Sequence, residues 1–242
     1  MKICLAQIQS YRGEIEKNIQ KHVNCIEKTI EMKADFIFFP ELSISSYEPT
    51  LARTLATTPT DKRFDIFQML SNQSNITICI GAPLLQALGV SISMLIFQKN
   101  LPLKVYSKQI LHADELPYFV TCNDEVLISQ ENNLIAPAIC FESLLEKHAE
   151  KAAKAKANLY IASVAKSTKG LEKAYNHYPK IAQCFNFTVL MCNSVGPAED
   201  FVAKGQSAVW LSNGEVLGKL DSNSEGLLFF DSEDQTTSSF YF

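Results

Sequence analysis

Glycine is scarce in this chain: there are nine in 242 residues, and no set of them spells G-x-G-x-x-G or G-x-x-x-x-G-K-S/T. That excludes the dinucleotide fingerprint and the phosphate loop, both of which need glycine where backbone approaches phosphate closely. The seven cysteines form no C-x-x-C, and the four histidines do not pair with them at zinc spacings. No structural metal and no cofactor are therefore expected. An odd number of cysteines scattered through apolar runs suits a reducing, cytoplasmic compartment and no disulfide framework. Basic charge is not in excess either. Against 26 Asp and Glu stand 22 Lys and Arg, a formal charge of −4. A nucleic-acid partner is disfavoured, because phosphate binding needs a basic face.

Two further absences concern membranes. The N-terminal Met-Lys-Ile-Cys-Leu-Ala-Gln-Ile-Gln turns polar too soon for the apolar region of a signal peptide. No charged side chain occurs from Ile66 to Gln98, a length that could nominally span a bilayer. Gly81, Pro83 and Gly89 interrupt that stretch, however, and its apolar residues alternate: Ile76, Ile78, Ile80, then Val90, Ile92, Met94, Ile96. Period 2 predicts two β-strands joined by a loop and no membrane partner.

At 47% apolar and 20% charged, the composition is that of an ordinary soluble globular protein. A chain of this size buries roughly 70% of its unfolded surface. Strand and helix patterns alternate along it. Strands are expected at Ile3 to Gln9, Phe36 to Phe39, Lys104 to Leu111, Val126 to Ser129, Leu134 to Ile139, Leu159 to Val164 and Thr188 to Asn193. Three more follow at Ser207 to Ser212, Glu215 to Leu220 and Gly226 to Phe230. Helices are expected at Glu14 to Met32, where Ile15, Ile19, Val23, Ile26 and Ile30 share a face, at Thr60 to Leu70, at Leu144 to Ala157 and at Tyr175 to Phe185. No linker or repeat divides residues 1–242, so one α/β domain is expected, with a polar tail over 231–242.

Three polar residues sit where apolar strands end. Cys140 follows Leu134–Ile139 and precedes a helix, where the helix N-terminus would favour a thiolate; the bland reading is a small core residue. Glu41 follows Phe-Ile-Phe-Phe-Pro, and partial desolvation there raises a carboxylate towards general-base range; alternatively it faces water. Lys108 ends Val105-Tyr106-Ser107, and most strand lysines are solvated. Ligands in α/β sheets gather at the carboxyl ends of strands. Together the three supply a base, a cation for an oxyanion and a nucleophile, the parts needed to attack a carbonyl or nitrile carbon through a thioester.

The blocks Phe39-Pro40-Glu41-Leu42, Tyr106-Ser107-Lys108 with Glu115 and Tyr118-Phe119, and Ile139-Cys140-Phe141-Glu142 resemble the three signature blocks of the nitrilase superfamily of carbon–nitrogen hydrolases, in the family's order. Cys192-Asn193-Ser194-Val195-Gly196, Gly205-Gln206-Ser207 and Asn213-Gly214-Glu215-Val216 extend the likeness over nearly the whole chain. The resemblance implies an α-β-β-α sandwich, commonly paired into a homodimer or higher homo-oligomer. It also implies Cys140 as nucleophile, Glu41 as general base, Lys108 as oxyanion stabiliser and Glu115 as a second glutamate that positions substrate or water, with Asp114 a neighbouring rival. Phe141, through its backbone N–H, Glu142 and Lys166 are the candidate oxyanion and substrate contacts; Lys166 or Lys169 would meet a substrate carboxylate.

Two departures bear on substrate. Cys140-Phe141-Glu142 matches neither the Cys-Tyr-Asp of amidase-like members nor the Cys-Trp-Glu of nitrile-hydrolysing ones. Ala182-Gln183-Cys184-Phe185-Asn186 stands where many members carry Ala-Arg-Ala-x-Glu-Asn. The expected activity is hydrolysis of a small amide to carboxylate and ammonia or amine. The rivals are nitrile hydrolysis, acyl transfer, a silent binding protein of this fold, and a Cys–His hydrolase using His112 or His177.

Overall fold

Successive side chains of a strand point to opposite faces, and this chain uses that alternation to bury both faces of two sheets. The computed structural model describes every residue except Asp124 and Glu131. The first half contains β1 (Lys2–Gln7), α1 (Ile15–Glu31), β2 (Phe36–Phe38), α2 (Ala52–Leu55), α3 (Asp65–Ser74), β3 (Thr77–Gln86), β4 (Gly89–Phe97), β5 (Lys104–Ser107) and β6 (Ile128–Gln130). The second half contains β7 (Asn133–Ile139), α4 (Glu146–Lys154), β8 (Leu159–Val164), α5 (Thr168–Phe185), β9 (Thr188–Asn193), β10 (Val195–Pro197), β11 (Val202–Lys204), β12 (Ala208–Trp210), β13 (Val216–Lys219), β14 (Gly226–Asp231) and β15 (Thr236–Tyr241).

A seven-stranded sheet runs β15-β14-β1-β2-β3-β4-β5, and a six-stranded sheet runs β13-β12-β9-β8-β7-β6. At the centre of each, β1-β2-β3 and β7-β8-β9 are parallel. Ile3, Leu5, Phe36 and Phe38 turn inward and pack on Ile161, Leu190, Cys192 and Val209 of the other sheet. Their neighbours Cys4, Ala6 and Ile37 turn outward onto Ile15, Ile26 and Phe67 of α1 and α3. On the far side, Ala136, Ala138, Tyr160 and Ala162 meet Ala149, Ala174 and Tyr178 of α4 and α5. Three apolar layers between four structural layers make the α-β-β-α sandwich. The parallel strands bury both faces and so read as continuous apolar runs. Polar ties cross between the sheets: Ser163 Oγ donates to the Phe39 carbonyl at 2.7 Å, and Gln7 Oε1 accepts from Ser207 N at 2.9 Å.

The structure corrects several expected boundaries. The charge-free stretch supplies the end of α3 and the β3–β4 hairpin, and no helix among the described residues is long and apolar enough to cross a membrane. Residues 231–242 are not a loose tail, since β15 pairs with β14 from Gly226–Tyr241 to Asp231–Thr236. An exposed edge strand is held by backbone bonds and needs no apolar face, so its polar composition hid it. The last long helix begins at Thr168, seven residues before Tyr175, and continues through Pro179. Its first turns, Thr168-Lys169-Gly170, carry no apolar periodicity. The helix expected from Leu144 is shorter, Glu146–Lys154, and the strand expected to Leu111 stops at Ser107. The β10–β11 ribbon has too few residues for a periodic signal.

One close approach sets the position of the Pro40–Leu42 turn. Gly81 lies in β3 directly beneath it, and a Cβ there would fall 2.4 Å from the Pro40 carbonyl oxygen and 2.5 Å from Leu42 N. Those are backbone atoms, which cannot rotate away. Gly81→Ala is expected to cost about 1–3 kcal/mol in chemical denaturation and to displace Glu41, so that activity measured well below the unfolding transition falls as well.

Candidate active site

Glu41 sits on a turn that follows β2 and is pinned from several sides. Ser43 N donates to the Pro40 carbonyl at 3.2 Å, Ile44 N to the Gly81 carbonyl at 3.0 Å, and Gly81 N to Ser43 Oγ at 3.1 Å. Ser43 is held in turn by buried His22 of α1, whose Nε2 lies 2.9 Å from Ser43 Oγ and whose Nδ1 lies 2.6 Å from the Asn18 carbonyl. Burial depresses the His22 imidazole to about 3, so it is neutral. The Asn18 carbonyl can only accept, which puts the proton on Nδ1 and leaves Nε2 to accept from the serine hydroxyl.

Lys108 follows β5 directly, and its N–H donates to the Ile92 carbonyl at 2.8 Å. Its side chain is fully buried. The ammonium donates to Glu41 Oε1 at 2.7 Å and to Glu115 Oε1 at 2.6 Å. Glu115 is fixed further by Tyr47 OH, which donates to Oε1 at 3.1 Å, and by His112 N, which donates to Oε2 at 2.7 Å. Asp114 is exposed and pairs with His112 at 2.5 Å, so of the two neighbouring acids Glu115 is the one joined to Lys108.

Cys140 follows β7 at φ +46°, left-handed backbone uncommon for a side-chain-bearing residue. It opens a 3₁₀ turn, Cys140–Leu144. The Lys166 ammonium lies 3.8 Å from its sulfur, and Lys166 itself is only 4% exposed. Cys140 and Lys166 line a cavity of about 510 Å³ with Tyr47, Glu115, Phe141 and Phe201. Glu41 Oε2 is buried without a hydrogen-bond partner among the described residues, and the Cys140 thiol nearby favours the charged form of that carboxylate. Cysteine, glutamate and lysine thus meet at one end of a cleft, each from a different strand end.

The sequence matches the carbon-nitrogen hydrolase family over residues 2–240. The chain belongs to that family. Among solved structures it is similar to an amidase from Nesterenkonia sp. AN1, with a TM-score of 0.87 and 20% identity over 96% of this chain and 92% of that one. A variant of that amidase in complex with butyramide superposes with a TM-score of 0.86, at 20% identity over 95% of this chain and 89% of that one. Curated relatives are the glutamine-dependent NAD(+) synthetases of Aquifex aeolicus, 23% identical, and Acinetobacter baylyi, 25% identical. Each match covers 94% of this chain but only 41% and 43% of the relative, so the chain spans about two-fifths of their length.

In this member of the carbon–nitrogen hydrolase family two sequence expectations change. The first is Glu142, expected among the oxyanion and substrate contacts. It is fully buried away from the cavity lining. Its Oε1 accepts from Ile139 N at 2.8 Å and Tyr106 OH at 2.5 Å, and its Oε2 from Gln109 N at 2.7 Å and Ile110 N at 3.1 Å. The side chain therefore clamps the cysteine turn to the segment following Lys108. The second is the thiol. A five-residue 3₁₀ turn offers little dipole, and burial, then the Glu41 charge, push Cys140 up to about 11 against the opposing pull of Lys166 and Lys108. The surroundings of Cys140 thus favour the thiol over the thiolate.

The remaining candidates also find their places. Burial raises Glu41 above the usual carboxylate range, partly offset by Lys108. Burial opposes the charge of Lys108, but Glu41, Cys140 and Glu115 outweigh it and hold its pKa above the ordinary lysine value. Gln183, in the divergent segment, donates to the Asn213 carbonyl at 2.6 Å and braces a turn outside the cavity lining. His177 and Lys169, within α5, do line the cavity. A solvated loop was the ordinary expectation around Lys166; the long-range tie of its N–H to Asn193 Oδ1, at 2.8 Å, had no sequence signal.

Two outcomes follow. With Glu41 as the general base proposed below, kcat/KM is expected to fall on the acid side through an apparent pKa above the ordinary glutamate value of about 4.3; in Glu41→Gln that limb vanishes from the pH profile. Glu142→Gln places an amide N–H against donors and is expected to lower stability by about 2 kcal/mol or more, read from urea unfolding.

Proposed function

We propose that the chain hydrolyses a small amide through a Cys140 thioester. The observation that carries this reading is the division of labour on Glu41: one oxygen is held by Lys108, while the other is buried with no hydrogen-bond partner among the described residues, on a carboxylate whose charged form the Cys140 thiol favours. A carboxylate so held accepts a proton without reorienting. As Sγ attacks the amide carbon, Glu41 takes the thiol proton. The carbonyl oxygen becomes an oxyanion near the Lys108 ammonium, which has three protons and spends two on Glu41 and Glu115. The third proton and the Phe141 backbone N–H are the oxyanion donors. Glu41 then protonates the departing amine as the carbon–nitrogen bond breaks. Water enters as Glu41 takes its proton, the resulting tetrahedral adduct collapses to the carboxylic acid and a Cys140 thiolate, and Glu41 returns the proton to sulfur while the released acid ionises to carboxylate. Glu115, anchored by Tyr47 and His112 N, keeps Lys108 in place and presents one side of the cavity to substrate or water.

A Cys–His mechanism has less support. The sulfur's polar contacts are Lys166 and, at 4.0 Å, the Ala165 carbonyl, and His112 is taken up by Asp114. Ammonia release from a panel of short primary amides tests the proposal. Cys140→Ala is expected to abolish turnover, and Glu41→Gln to lower it by about 10²–10⁴-fold, the range for loss of a general base. His177→Ala losing all activity while Glu41→Gln retains it would overturn the mechanism.

A further inference from the structure

The cavity carries more positive charge than the reaction proposed above uses. At its floor the charges balance: Glu41 and Glu115 are negative, Lys108 and Lys166 positive. Towards the mouth they do not. Lys169 and Lys173 line the cavity there, with His177, whose imidazole burial holds neutral, one turn further on; the three lie four residues apart along α5, which places them on one helical face. Neither Lys169 nor Lys173 has a carboxylate within ion-pair distance among the described residues. The acids that line the cavity are already engaged, Asp114 by His112 and Glu115 by Lys108. The first turn of α5 contains no acidic residue.

Two buried groups point to an occupant of this wall. The Lys166 ammonium is nine-tenths buried, and its hydrogen-bond partner among the described residues is the Cys140 sulfur at 3.8 Å, with no oxygen acceptor. His177 Nε2 is buried and has no hydrogen-bond partner among the described residues. A buried polar atom left unpaired, as His177 Nε2 is, costs free energy that a ligand partner recovers. Gly170 keeps this arrangement open, because a Cβ there would lie 3.1 Å from the Lys166 Cβ. The cavity lining also includes the apolar side chains of Phe141, Leu144, Leu145 and Phe201.

We propose that the α5 face of Lys169, Lys173 and His177 is a carboxylate subsite, so that the substrate is an amide whose acyl chain ends in a carboxylate. This rests on the hydrolase reading above and narrows it. The amide lies at Cys140, a short methylene chain crosses the apolar walls, and the far carboxylate meets the lysines. Water cleaves the carbon–nitrogen bond of such a monoamide to give a dicarboxylate and ammonium, with charge conserved.

Glutaramate and butyramide share the reacting amide and differ in the terminal carboxylate, which makes them the test pair. Calorimetric titration of Cys140→Ala at low salt is expected to show glutaramate binding at least tenfold more tightly than butyramide, with the ratio shrinking as salt screens the lysines. Adding Lys169→Met and Lys173→Met, both at exposed positions, is expected to bring the ratio near one. A ratio near one before those substitutions, or one they leave unchanged, overturns the subsite. Ammonia release by the unsubstituted protein separates the two proposals. Turnover of butyramide at the rate of glutaramate keeps amide hydrolysis and overturns the subsite. Preferential binding of glutaramate with no ammonia from either amide supports the subsite and overturns amide hydrolysis.

Discussion

The buried ammonium of Lys108 is the interaction on which the site depends. Two carboxylates excluded from water, Glu41 and Glu115, each place an oxygen within 2.7 Å of it. Without that charge they would repel each other in a medium that screens poorly, and one would be driven to protonate. With it, the charged form of Glu41 is favoured, while burial still raises its pKa above that of a surface glutamate. The arrangement is costly to the fold, and the fold surrounds it accordingly: the Glu41 turn is clamped by β3 and α1, and Glu115 is anchored by Tyr47 and a backbone N–H.

A second carboxylate does for the nucleophile what Lys108 does for the base. Glu142 has no place in the cavity, but its four acceptor contacts join Ile139, Gln109, Ile110 and Tyr106. Tyr106 lies on β5 of one sheet, and its hydroxyl is 2.9 Å from His148 Nε2 of α4. His148 Nδ1 reaches the hydroxyl of Tyr160, on β8 of the other sheet, at 2.7 Å. The left-handed cysteine turn is therefore tied to both sheets and one helical layer. Burial lowers the His148 pKa, so the imidazole serves there as a neutral linker. Satisfied polar networks of this kind fix one geometry, whereas a half-satisfied one would destabilise it.

How far the sequence could be read depended on whether a residue's role is local. Parallel strands at the centre of each sheet appeared as apolar runs because they bury both faces, and α1 because its isoleucines repeat at helical spacing. Glu41, Lys108 and Cys140 stood out because each interrupts or ends such a run within a recognisable block, and Glu115 stood out through the family resemblance alone. The start of α5 did not stand out, since Lys169, Gly170 and Lys173 face a cavity, not a core. Nor did β15, whose strand state comes from pairing with β14. Glu142 was visible as a residue of interest but pointed the other way, because the donors that claim it lie more than thirty positions distant or on the strand beside it.

The order of apolar runs pointed, by sequence alone, to an α/β chain, and the resemblance of the blocks that end them to family signatures added the carbon–nitrogen hydrolase type. The runs follow from periodicity and composition, which act over a few residues. Tertiary structure alone decided that Glu41 has one free oxygen, that the surroundings of Cys140 favour the thiol, and that Glu142 braces while Lys166 faces the sulfur. These are properties of charge and hydrogen bonding between segments distant in the chain, and they exist only once folding has removed the water that would otherwise separate them.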